Sequence, residues 1–117
     1  MKTENIIVEK SFQFALRVVK LYSHLREQKV ERDLALQFLR SGTSIGANVE
    51  EAIGGSSKKD FIYKLGISYR ESRETKYWLK LFKESNLLEE KLAESFISDC
   101  EELIKILTAI LNTSKSK

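Results

Sequence analysis

With 117 residues, 42% apolar and 32% charged, the chain has the length of one domain and is too apolar for a disordered segment. Its net charge is +3, and its single cysteine (Cys100) and single histidine (His24) exclude an internal disulfide framework and a CxxC zinc site. Apolar runs of three or four residues fall far short of the ~20 of a membrane span, and MKTENIIVEK lacks the unbroken apolar core of a signal peptide, so a cytoplasmic protein is expected.

Proline is absent, where average usage of ~5% would supply about six residues. Proline breaks helices and marks turns, so its absence, with only five glycines, predicts long helices and short loops. The first helix is expected over about 5–27, with Val8, Phe12, Ala15, Val19, Tyr22 and Leu25 as its apolar face at spacings of three and four. The second, about 31–53, carries Leu34, Phe38, Ser41, Ile45, Val49 and Ala52 on one face and is ended by Gly54-Gly55. Ser57-Lys58-Lys59-Asp60 reads as a capping box opening a third helix over about 57–84. Asn86-Leu87-Leu88-Glu89 reads as a second box opening the fourth, about 87–112, and residues 113–117 form a polar tail expected to fray. No segment alternates at period two. These features predict an all-α, antiparallel up-down-up-down four-helix bundle in one domain.

Polar residues in inward columns of such a bundle are the informative ones. On helix 2, Gln37, Arg40, Ser44, Asn48 and Glu51 share a column at 100° per residue, with Gly42 and Gly46 on the opposite border. On helix 3, Glu71 and Glu74 share a narrow arc with Ile67, Trp78 and Leu81, beside a small hydroxylated column of Ser68, Ser72 and Thr75. Unpaired buried carboxylates are costly, so a polar network of Arg40, Ser44, Asn48, Glu51, Glu71 and Glu74 is expected, with Arg40 paired to one of the two glutamates. A metal reading would need Glu-x-x-His pairs, which do not occur, and no histidine partners Ser41, Thr43 or Ser44. No catalytic residues, metal ligands, cofactor or small-molecule substrate are therefore expected.

Charge is segregated along the chain. Residues 57–83 hold eight Lys/Arg against three Asp/Glu, whereas residues 84–113 hold two against seven. Arg73, Lys76, Lys80 and Lys83 share an outward arc of helix 3, and Lys10, Arg17 and Lys20 repeat along helix 1. A basic stripe with aromatic neighbours suits phosphate contact and base stacking. Two other readings stand beside it: a plain solvated face, and an assembly surface in which Ile62, Tyr69 and Tyr77 bury against another subunit while basic helix 3 meets acidic helix 4.

The run Arg40-Ser41-Gly42-Thr43-Ser44-Ile45-Gly46-Ala47-Asn48-Val49-Glu50-Glu51-Ala52 resembles the signature of the bacterial four helix bundle protein family, first recognised within intervening sequences of 23S ribosomal RNA genes. The stretch from Lys58 to Leu79, including Tyr69-Arg70-Glu71-Ser72-Arg73-Glu74-Thr75-Lys76-Tyr77-Trp78, is similar to that family's second block. The resemblance implies a left-handed bundle assembling as a ring-shaped homopentamer. It also implies kinship with the accessory variability protein of diversity-generating retroelements, which binds RNA and a reverse transcriptase. The expected function is a non-enzymatic oligomeric scaffold for RNA or ribonucleoprotein, acting through the basic helix-3 face; the alternative is a protein–protein adaptor.

Overall fold

The computed structural model describes residues 2–116 and, within them, the side chains of residues 4–116. Its four helices are α1 (Lys2–Glu27), α2 (Arg32–Ile53), α3 (Lys58–Glu84) and α4 (Glu90–Lys115), with no strand among the described residues. The ends follow local chemistry. The Glu31 carboxylate accepts from Leu34 N–H at 3.0 Å to open α2, and the Ser57 hydroxyl accepts from Asp60 N–H at 3.0 Å to open α3.

Asn86 plays the reverse of its expected role. It closes α3 in the left-handed region (φ 61°), where its N–H bonds the Lys83 carbonyl and the Leu87 N–H bonds that of Phe82. The N-cap of α4 is Glu89, whose carboxylate accepts from Leu92 N–H at 2.9 Å, so this helix starts three residues later than expected. It also runs on through the polar stretch to Lys115; Lys117 lies outside the described residues. Lys29 (φ 64°) closes α1 in the same left-handed manner, with Val30 N–H on the Leu25 carbonyl.

Contacts between neighbouring helices run in opposite directions along the chain. Ser68 meets Ile45 and Thr75 meets Ser41 across α2 and α3, while Lys76 meets Glu101 and Lys83 meets Glu94 across α3 and α4. The bundle is therefore antiparallel, with helices in the cyclic order α1-α2-α3-α4; among the described residues the diagonal pair α2 and α4 meets through side chains rather than by close approach of the backbones. A chain of edge-to-face phenylalanines ties all four helices together. Phe14 of α1 meets Phe96 of α4 at 6.1 Å, Phe96 meets Phe38 of α2 at 6.4 Å, and Phe38 meets Phe82 of α3 at 5.9 Å.

The inward face of α1 corrects the sequence expectation. The buried residues are Ile7, Ser11, Phe14, Val18, Leu21 and Leu25, whereas Phe12 is 58% and Val19 48% exposed. Two adjacent stripes of α1 both satisfy the three-and-four spacing and share Leu25, so periodicity alone does not choose between them. The choice is made by α2, which brings Gly42 against Val18 and Gly46 against the Ser11 backbone.

A Cβ on Gly42 would sit 2.8 Å from both Val18 methyls, in a fully buried and stiff β-branched side chain. Gly42→Ala is therefore expected to lower stability by about 1–2 kcal/mol, because overpacking outweighs the gain in helix propensity. Gly66→Ala meets no atom within 4 Å and is expected to raise stability by up to about 1 kcal/mol. Urea denaturation at fixed protein concentration measures both, and effects of the same sign would contradict this packing.

Candidate functional site

Between α2 and α3 the small residues Ser68, Ser72 and Thr75 are fully buried, which lets the helices approach closely. Their hydroxyls are all satisfied, that of Ser68 across the seam and those of Ser72 and Thr75 within α3. Ser68 donates to the Ile45 carbonyl at 2.8 Å, Ser72 to that of Tyr69 at 2.7 Å and Thr75 to that of Glu71 at 2.7 Å. The buried Cys100 thiol donates to the Ser72 carbonyl, and burial pushes it up to about 12, so it is no nucleophile at neutral pH.

At the outer edge of the same seam, Arg40 donates to Glu74 Oε2 at 2.7 Å, and its other terminal nitrogen lies 3.8 Å from Glu71 Oε2. Glu74 Oε2 also accepts from Trp78 Nε1 at 3.0 Å, and Gln37 Oε1 accepts from Arg40. Three of the expected members stand apart from Glu71. Ser44 donates to the Arg40 carbonyl, Asn48 donates to the Ser44 carbonyl, and Glu51 pairs with Lys64 at 2.7 Å. The short side chains of Ser44 and Asn48 bond back to their own helix one turn earlier, whereas Glu51 crosses the seam but to Lys64 rather than into the Arg40 cluster.

Glu71 is consequently strained electrostatically: its Oε1 is buried and accepts no hydrogen bond. Burial first and then the Glu74 charge push its carboxyl above the ordinary carboxylate range, while Arg40 and Arg70 pull it back. A raised folded-state value means that the folded chain holds this proton more tightly than the unfolded chain. The stabilising contribution is complete below the unfolded value near 4.5 and is lost as pH rises through the folded one. Glu71→Gln is therefore expected to be more stable than the parent at pH 7, by at most about 1 kcal/mol, with the gap closing below pH 4.5. Thermal melts across pH check this; a constant gap would contradict it.

The charge segregation resolves largely within one chain. Lys76 meets Glu101 at 2.9 Å and Lys83 meets Glu94 at 3.2 Å, so basic α3 faces its own acidic α4. Across the α1–α4 seam, Lys10 pairs with Glu102 at 3.2 Å, and Arg17 pairs with Asp99 while covering the Phe96 ring at 4.0 Å. Four of the seven basic candidates are thus committed to acids of α4. Lys20, Arg73 and Lys80 form no ion pair among the described residues, although Arg73 donates to the Tyr69 hydroxyl at 3.1 Å.

Of the interface candidates, Ile62 and Tyr69 are half-buried against the core, while Tyr77 is 58% exposed. A second exposed apolar face lies along α1 and α2. Phe12, Leu16 and Val19 project from α1 beside a groove lined by Val8, Ala15, Thr43, Gly46 and Ala47. The sequence signal for it was present in the width of the apolar arc of α1, which exceeds what one bundle seam can cover. Among the described residues no group of His, Cys, Asp or Glu could hold a metal ion, and no helix is long and apolar enough to cross a membrane.

Comparison with known proteins supplies the lineage of this arrangement. A solved protein of unknown function from the S23 ribosomal protein family of Bacteroides thetaiotaomicron VPI-5482 is 41% identical, with a TM-score of 0.91 over 94% of this chain and 98% of that one. No curated protein matches the chain. The family model for the 23S rRNA-intervening sequence protein matches residues 3–109, which includes α2, α3, most of α1 and α4, and both of the motif-bearing stretches. The chain belongs to the 23S rRNA-intervening sequence protein family.

Proposed function

We propose that the protein is a non-enzymatic, cytoplasmic scaffold, a homopentameric ring of four-helix bundles that binds RNA or a ribonucleoprotein. The observation that carries the assembly half is the apolar α1–α2 face. Phe12, Leu16 and Val19 lie exposed on consecutive turns beside the small residues Gly46 and Ala47. Soluble chains rarely leave such a contiguous face uncovered, and a heterologous contact that closes on itself makes a ring. The pentamer follows from the resemblance in the Arg40–Ala52 signature. Chemical cross-linking at micromolar concentration tests the assembly: a ladder ending at the pentamer is expected, and a monomer band alone would contradict it.

The RNA half rests on the family and on the cations that α4 leaves unneutralised. Its test is an electrophoretic shift with structured RNA at two salt concentrations. Binding no tighter than that of an unrelated basic protein, or unchanged by salt, would overturn it.

A further inference from the structure

The outer face of α3, on the side of the bundle opposite the α1–α2 groove, interleaves aromatic rings with cations. Tyr63, Arg70 and Tyr77 follow one another at seven-residue intervals, about 10 Å along the axis, and Arg73 and Lys80 run beside them at the same interval. Tyr63 is 61% and Tyr77 58% exposed, and none of the three cations forms an ion pair among the described residues. Between the two tyrosines, Gly66 meets nothing within 4 Å at its Cβ position and leaves the surface open. Two shallow grooves against α4 lie in line along this face, one at Tyr63, Gly66 and Arg70, the other at Arg73, Tyr77 and Lys80. The acid within the second groove, Glu101, is neutralised by Lys76, which leaves Glu84 at its far rim.

We propose that this α3–α4 face is a track for single-stranded RNA, in which Tyr63 and Tyr77 stack bases while Arg70, Arg73 and Lys80 hold phosphates. The inference rests on the RNA-scaffold reading and names the ligand form and the residues. Unpaired cations alone would serve any polyanion. The exposed rings between them select a strand whose bases are unstacked, because a duplex offers no base faces to a flat surface.

The test is fluorescence anisotropy with a labelled oligouridine of about 15 nucleotides, a length within single-strand site sizes, and an RNA duplex of equal length as competitor. The single strand is expected to bind at least about tenfold tighter than the duplex. Tyr77→Ala should weaken it about 5- to 100-fold, the loss of one stacked base, while Tyr77→Phe keeps the affinity. Arg73→Gln combined with Lys80→Gln should lower the salt slope by about 1.4, at ~0.7 per phosphate on a single strand. Equal affinity for the duplex, or an unchanged Tyr77→Ala variant, would overturn the track while leaving RNA binding standing. Absence of binding to any RNA would overturn both. A changed particle mass in Tyr77→Ala would assign the face to subunit contact and overturn the track.

Discussion

Phe38→Ala is expected to cost about 3–5 kcal/mol of folding stability, a large share of the ~5–15 kcal/mol that holds a domain of this kind together. Phe38 is fully buried and is the one ring in the phenylalanine chain that touches both α3, through Phe82, and α4, through Phe96. Truncation would empty a cavity where three helices converge and remove two edge-to-face contacts together. Surrounding side chains are poorly placed to collapse into it, because Ser41 and Gly42 beside it on α2 are small and held close to α3 and α1. Urea denaturation at fixed protein concentration measures the loss. A cost below about 1 kcal/mol would show that the ring chain is not the core that it is taken to be.

Phe12→Glu is expected to leave the fold intact and to weaken each subunit contact by about 30-fold or more, releasing monomers at micromolar concentration. The same residue type thus has opposite consequences on α1 and α2, since Phe12 is 58% exposed where Phe38 is fully buried. A charge placed in the middle of an apolar face is costly only when that face is covered. Ile6→Glu provides the control: Ile6 is 43% exposed, but it lies beside the α1–α4 seam rather than in the α1–α2 groove. Sedimentation velocity should show monomers for Phe12→Glu and the parental species for Ile6→Glu. Loss of assembly in both would mean that the α1–α2 face is not the specific contact.

Much of the bundle was legible in the residues because its determinants are local. Missing prolines, three-and-four spacing, Gly54-Gly55 and the Ser57 cap act within one or two turns and fix the helices where they occur. Arg40 and Glu74 fell into facing columns, and they meet at 2.7 Å. The errors arose where a choice depended on a neighbour. Periodicity places the apolar arc of α1 one stripe off, because only the Gly42–Val18 contact tells which stripe turns inward. Asn86 has the chemistry of a helix opener and of a left-handed closer, and the bonds to Phe82 and Lys83 decide for the latter. On the basic arc of α3, Lys76 and Lys83 find Glu101 and Glu94 of the same chain, partners that the arc alone does not reveal. Ser44 and Asn48 point at their own helix, a preference of short polar side chains that column arithmetic does not capture.

Those corrections move the weight of the functional reading from the whole basic stripe to two opposite faces: an apolar one for self-assembly, and the residual aromatic and cationic one for RNA. The first is the foundation of the account, since a scaffold needs its copies. Light scattering on nuclease-treated protein eluting from size exclusion, over a hundredfold range of concentration, measures it most directly. The account predicts a single particle of five times the 13.5 kDa chain mass. A particle of 13.5 kDa at every concentration would contradict it.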